Sequence, residues 1–181
     1  THGENIRIQD FLDIVPDAVI MVDQQQKIVY INETTEAIWG YSAGEILGQP
    51  LHVLIPERFV VDHKRHLEEF AASPDKKRIM TAQGEVSARK RDGSEFPIEA
   101  SIAKITAGDG LRFAIFLRDI TARKQAEVEL AKWAQAFEHA EWGMVVGEAS
   151  SRNFQIMNPA FARMYGYTVE ELTGQPIEAV Y

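Results

Sequence analysis

The stretch GYSAGEILGQP at residues 40–50 returns as GYTVEELTGQP at residues 166–176, with six of eleven positions identical. The offset is 126 residues, and it also carries Asn32 onto Asn158 and Phe11 onto Phe137. Between these anchors AVIMVDQQQKIVYIN lies over MVVGEASSRNFQIMN without a gap. Such a period is too long for a solenoid unit and suits a whole domain. The first copy has room to finish near residue 120, whereas the second reaches only its opening elements by Tyr181. The pattern predicts one complete domain, a connector and the first part of a second domain, as in a piece of a longer protein.

Local patterns supply the elements. In ENIRIQDFLDIV the residues Ile6, Ile8, Phe11, Leu12 and Val15 have a mostly helical spacing, and Pro16 ends the segment. AVIMVD and KIVYIN are β-branched runs on either side of polar QQQ, which predicts a hairpin. Ser42 with Glu45, and Thr168 with Glu171, have the spacing of a capping box, after which Gly48 and Pro50 turn the chain. The repeated words are therefore architectural punctuation, not catalysis. A longer helix follows Pro56, with Phe59, His63, Leu67 and Phe70 along one face. GEVSARKRDGSEFPIEASIAKI reads as two strands joined at Asp92-Gly93, with Phe96, Ile98, Ala100 and Ile102 on one face and Glu99 and Ser101 on the other. LRFAIFLRDIT is a further strand. Two early strands and three late ones, with short helices between, predict an α+β fold: an antiparallel sheet with its helices on one face. After Thr121, with Asp119 or Thr121 as cap, a helix sets Ala126, Leu130, Trp133, Phe137 and Ala140 at coiled-coil spacing.

Several functions are disfavoured. A net charge of −8 argues against nucleic acid as the main partner. The basic run KRI…ARKRDG reads as a solvated hairpin. No apolar run approaches the ~20 residues of a membrane span, and no signal-peptide pattern opens the chain. With no cysteine, the chain has neither disulfides nor thiolate chemistry. Ser42, Ser73 and Ser101 have no paired base at readable spacing, and Glu68-Glu69 reads as a solvated face.

These residues resemble the PAS sensor-domain family. The carriers are the pattern GY(S/T)xxE(I/L)xGQP in both copies, RKRDGSEFPIEASI before the last strands, and RDIT at the end of the first copy. The resemblance implies a five-stranded antiparallel sheet whose helical side forms a pocket. It divides the chain into an N-terminal helical flank (1–10), a PAS domain (11–121), a helical connector (122–140) and the truncated start of a second PAS domain (141–181). It implies a cytoplasmic sensory or dimerisation module that detects a small ligand, redox state or gas through the pocket, and no enzyme within the segment. The module would be a homodimer, with no nucleic-acid or membrane contact. It would relay a signal to an output domain in the same chain, such as a histidine kinase or cyclic-nucleotide enzyme. A cofactor-free protein–protein interaction module is the alternative, followed by an enzyme fragment using Asp62, His63 and His66.

The resemblance also directs attention to the pocket. In oxygen-sensing haem PAS domains a histidine on the long helix binds the iron, and HKRHLEEF places His63 there. Those sensors carry an arginine on the following strand, where this chain has Gly84 next to Gln83. The alternative for His63 is a hydrogen-bonded histidine of the core or its edge. Flavin is a second possibility, with Asn32, Trp39 and Tyr41 as contacts, although photochemistry through a cysteine is excluded. Ile98, Ala100 and Ile102 complete the candidate cofactor-binding set. A small apolar or carboxylate ligand, an empty core, and a metal held by Asp62, His63 and His66 also remain open, and no cofactor is fixed.

Overall fold

The computed structural model describes residue 12 and residues 14–80, 86–107, 110–147, 150 and 152–180. Most of the expected N-terminal helix, with Ile6, Ile8 and Phe11, lies outside the described residues, as do Gln83 and Gly84. The chain divides into two compact units, Thr1–Ala122 and Arg123–Tyr181.

In the first unit, strands β1 (Ala18–Val22) and β2 (Ile28–Ile31) form the expected hairpin. Helix α1 (Glu33–Trp39) follows at once, then the short α2 (Ala43–Ile46) and 3-10 turns at Leu51–Leu54 and Glu57–Phe59. The long helix α3 spans Val60–Ala72. Strands β3 (Lys77–Ile79), β4 (Val86–Arg89), β5 (Glu95–Ala107) and β6 (Gly110–Asp119) complete the unit. All pairings are antiparallel, in the order β2-β1-β6-β5, and β3 and β4 share the outer edge of β5. The sheet therefore has the five expected positions, with the last divided between two short strands. On β5 the residues Phe96, Ile98, Ala100 and Ile102 face the core, as the alternation predicts, together with Phe113, Ile115 and Leu117 of β6. Leu67 and Phe70 of α3 and Trp39 of α1 pack onto this face.

One buried side chain joins the hairpin to α1. Asn32 is 1% exposed. Its Oδ1 accepts from the N–H of Val19 (2.9 Å) and of Thr35 (3.1 Å), and its Nδ2 donates to the carbonyls of Leu12 (3.1 Å) and Asp17 (3.0 Å). It is at once the N-cap of α1 and the clasp that holds the start of β1. Gly48, with φ of 80°, then donates to the Ile28 carbonyl, and Ile28 donates to that of Gln49, which stitches the GQP turn back to β2.

The second unit opens with helix α4 (Thr121–His139), which begins two residues before the unit boundary, and repeats the opening of the first unit. Strands β7 (Val145–Gly147) and β8 (Phe154–Met157) lead into α5 (Pro159–Met164), α6 (Val169–Leu172) and a 3-10 turn, Ile177–Val180. Asn158, 0% exposed, accepts from Met144 N–H and Phe161 N–H and donates to the Trp142 carbonyl. The Thr168 and Glu171 capping box forms reciprocally. In the first unit the Glu45 carboxylate takes both the N–H and the hydroxyl of Ser42. The gapless overlay of the two hairpins needs a correction. Val19 reaches Asn32 across thirteen positions, whereas Met144 reaches Asn158 across fourteen. The counterpart of Val19 is thus Met144, and the extra residue falls between the paired Gly147 and Phe154. Because it falls between the strands and not within the ladder, Phe154 and Met157 both stay buried.

Replacing Asn32 by Ala takes this partner from the Val19 N–H and from the Leu12 and Asp17 carbonyls, while the Thr35 N–H keeps its bond to the carbonyl of residue 32. We expect Asn32→Ala to destabilise the first unit by about 3 kcal/mol, at about 1 kcal/mol, the low end of the cost of an unpaired buried group, for each of these three groups. Urea unfolding followed by circular dichroism measures it. A loss under about 1 kcal/mol would mean that water replaces the amide.

Candidate functional site

A cavity of 270 Å³ opens between α3 and the inner face of the sheet. Its floor is Ile98, Ala100 and Ile102 of β5 with Ile115 and Leu117 of β6. Trp39, Leu51, Leu54 and Ile55 close one side, and Met80, Val86, Ser87 and Ala88 line the wall beside β5. Phe59, Asp62, His63, His66 and Leu67 come from α3 and the turn before it. Seven of the candidate residues singled out from the sequence therefore meet in one place: His63, Trp39, Ile98, Ala100 and Ile102, with Asp62 and His66. Asn32 and Tyr41 do not line this cavity. The Asn32 amide is committed to backbone groups, and Tyr41 is a half-buried residue packed against the core.

The sequence reading missed the contribution of the 3-10 turn at Leu51–Leu54 and of the edge strand. The Leu-x-x-Leu spacing just after the GQP turn is the signal for the former, because one face of a 3-10 turn repeats every three residues. Nothing in the pattern of Met80, Val86 and Ser87 distinguishes wall from edge.

The electrostatics of the cavity centre on His63. Burial in an apolar wall pushes its pKa from the ordinary 6.5 down to about 4, and the neighbouring His66 adds a smaller push in the same direction. Its imidazole is therefore neutral at pH 7. Asp62 is turned toward Arg65, with a 2.9 Å contact. Among the described residues there is no group of three histidine and carboxylate ligands placed to hold a metal ion, so Asp62, His63 and His66 do not converge as one.

Two further features frame the site. Trp39 is 2% exposed and lies edge-on to Phe96, with ring centroids 5.1 Å apart, and its buried indole N–H has no hydrogen-bond partner among the described residues. Arg58, in the turn that leads into α3, makes two bonds to the Glu95 carboxylate at the start of β5 (2.7 and 2.5 Å), holding Glu95 below its ordinary carboxylate range.

The donor set admits only part of a haem site. His63 offers a neutral imidazole of the kind iron takes as an axial ligand. The cavity of 270 Å³ falls below the ~300–1,000 Å³ of sites that hold drug-sized ligands, and a porphyrin is larger than many of these. Among the described residues its lining includes neither lysine nor arginine for the propionates, and it does include Asp62. The residues present do not fit the macrocycle; they fit a compact organic molecule.

Comparison with known proteins agrees with the architecture. Sensor protein FixL of Bradyrhizobium diazoefficiens is 26% identical over 160 residues, covering 88% of this chain and 32% of that protein. Oxygen sensor protein DosP of Escherichia coli is 22% identical over 155 residues, covering 86% of this chain and 19% of that protein. The chain thus spans a third or less of the length of these relatives. The crystal structure of a PAS domain from Colwellia psychrerythraea superposes with a TM-score of 0.51 at 27% identity, over 63% of this chain and 94% of that one. A PAS domain family model matches residues 16–122 and again residues 143–181. These two stretches cover most of the chain and coincide with the two copies of the Asn-capped hairpin and helix, so the chain belongs to the PAS domain family.

Proposed function

We propose that the chain is a sensory and dimerisation module. Residues 11–121 take up a small ligand in the cavity, residues 122–140 carry the response, and residues 141–181 open a second domain of the same kind. The observation that carries this reading is the continuity between cavity and connector. Ile115 and Leu117 of β6 line the cavity, β6 ends at Asp119, and α4 begins at Thr121. The single residue between them, Ile120, is buried and donates to the Pro97 carbonyl (3.2 Å), while Thr121 N–H donates to the Asp119 carboxylate (2.8 Å). A strand that enters a helix with no slack transmits a small displacement of the sheet to the helix. Relatives that are themselves sensor proteins and signal-transduction histidine kinases support an output domain elsewhere in the full protein. No enzyme activity is assigned to this segment.

The second part of the reading concerns α4. Leu130 and Trp133 are 70% and 72% exposed, on the face that also carries Ala126 and Phe137. Large apolar side chains left in water at coiled-coil spacing favour a second copy of the chain as partner, in a parallel homodimer.

The test of sensing is a thermal-shift screen of small apolar compounds against the wild type and Ala100→Leu, which fills the cavity floor. Compounds should raise Tm in the wild type and leave the variant unmoved. A flat response in the wild type would overturn the reading, and so would a Soret band that disappears in His63→Ala. Dimerisation is tested by sedimentation of Leu130→Glu/Phe137→Glu. We expect monomers with unchanged sheet circular dichroism, and a variant that stays dimeric places the seam elsewhere.

The proton state of His63 gives a further expectation. Its folded pKa lies below its unfolded one, so below pH 6.5 the unfolded chain binds a proton that the folded cavity refuses. Stability from this group is complete above pH 6.5 and falls as the pH drops toward about 4. His63→Leu should therefore gain stability relative to the wild type between pH 7 and 4.5, with the carboxylate contributions cancelling in the difference. A difference that stays flat across this range, measured by urea unfolding, would place the imidazole in water.

A further inference from the structure

We propose that the cavity takes a compact monocarboxylic acid, its apolar body on the β5–β6 floor and its carboxyl group hydrogen-bonded to the imidazoles of His63 and His66. The assignment rests on the reading of this cavity as a ligand site and adds the chemistry of the ligand. The polarity of the lining is one-sided: apart from Ser87, its polar side chains are Asp62, His63 and His66, all from α3. Ser87 alternates on β4 with Val86 and Ala88, which pack on the core, so its hydroxyl belongs to the other face of the strand. Asp62 is already bonded to Arg65. The two histidines remain. His63 stands one helical turn before the buried Leu67, and His66 one turn before the buried Phe70, so both lie on the inward side of α3. Among the described residues neither imidazole has a hydrogen-bond partner, and the sealed, unpaired side-chain atoms are those of Trp39 and Thr121, so the imidazole nitrogens are open to contact.

Two imidazoles in one wall disfavour each other's protonation, and burial adds to this at His63. What the pair lacks is a counter-charge. Among the described residues β4, β5, β6 and the 3-10 turns bring no charged side chain into the lining, and the charges on these elements pair elsewhere, Arg58 with Glu95 and Arg89 with Glu57. A carboxylate has two acceptor oxygens, one for each ring. A phosphate or a dicarboxylate would set further charge against the apolar floor of Ile98, Ile102, Ile115 and Leu117. The cavity volume of 270 Å³ restricts the ligand to fewer atoms than a typical drug. Binding takes one proton from water. Free His63 titrates at about 4 and a free carboxylic acid near the ordinary carboxylate value of about 4.3, whereas the complex holds one proton between carboxyl oxygen and imidazole nitrogen. From about pH 5 to 7 the dissociation constant should therefore rise about tenfold per pH unit.

The test uses phenylacetate and ethylbenzene, in which a methyl group replaces the carboxylate. With the wild type at pH 6.5, phenylacetate should shift the methyl resonances of Ile98 and Leu117 and move the ring-nitrogen resonances of His63 toward their protonated positions. Calorimetry in buffers of different ionisation enthalpy should show uptake of about one proton. Ethylbenzene should shift the methyls with no proton taken up. His63→Leu should weaken phenylacetate about tenfold or more and change ethylbenzene less than about twofold, the size of one hydrogen bond to a charged group. The wild-type measurements decide the matter even if the variant does not fold. If phenylacetate shifts the methyls but leaves the His63 nitrogens unmoved, or takes up no proton, the cavity is a ligand site and the carboxylic acid assignment fails. Proton uptake with an undiminished affinity in His63→Leu also overturns it, because the acid then enters undissociated and unpaired. If neither compound shifts any floor methyl, the ligand-site reading fails with it.

Discussion

A buried amide at the head of the first helix fixes the geometry on which the rest of the first unit depends. Asn32 has no access to water, and its side chain bonds four backbone groups drawn from three stretches of chain: the residue 12–17 entry, β1 and α1. An apolar residue there would leave three of those groups unpaired, and Asp would lack the two donors that reach Leu12 and Asp17. The same side chain sets where α1 starts, and seven residues later α1 delivers Trp39 to the cavity. Gly40, at φ of 76°, then lets the chain turn away without strain. The second unit repeats the device with Asn158 on a hairpin one residue longer. The clasp therefore acts through the hydrogen bonds and tolerates a change in the loop between the strands.

This device accounts for much of what the sequence disclosed. The repeated words are local signals: capping boxes, the GQP turn and the Asp92-Gly93 hairpin form where their residues demand it. Alternation on β5 disclosed the floor of the cavity because a period of two admits one assignment of faces. Asn32, which the resemblance offers as a flavin contact, has its amide bonded to the backbone, and an asparagine near a helix start gives no sign in the sequence of which way its amide faces. The division of the sheet edge between β3 and β4 was also illegible, because three-residue and four-residue strands carry too little pattern. His63 fell on the inward face of its helix by spacing alone, but its neutrality depends on the apolar residues packed around it from β5 and the 3-10 turn, distant in sequence.

The unequal packing of α3 bears on how the cavity can respond. Its C-terminal half is fastened: Leu67 and Phe70 are buried, and Lys104 and Arg78 lie over the Phe70 ring at 4.8 and 5.2 Å. Lys104 also donates to the Ser73 carbonyl at the helix end. The N-terminal half, from Val60 to His66, has no fully buried residue. The ion pairs beside it, Arg58–Glu95 and Glu57–Arg89, are largely exposed and therefore worth little. The elements that line a cavity and open for a ligand are drawn from the less stable parts of a fold. The half of α3 that carries His63 is such a part, and the sheet opposite it is not.

That asymmetry gives the cavity two walls of different stiffness. A ligand that wedges between them displaces the loosely held end of α3 first, and any force that remains falls on β5 and β6. β6 is paired on both sides, to β1 and β5, so it moves as a unit of the sheet. On the proposed reading its last residues would pass the displacement on, because Ile120 donates to the Pro97 carbonyl of β5 and Thr121 to the Asp119 carboxylate. A ligand small enough to be absorbed by α3 alone would thus bind without reaching the connector. One that fills the space down to Ile115 and Leu117 loads the strand that leads into α4. On this argument the size of the ligand, and not only its affinity, separates an occupant from a signal.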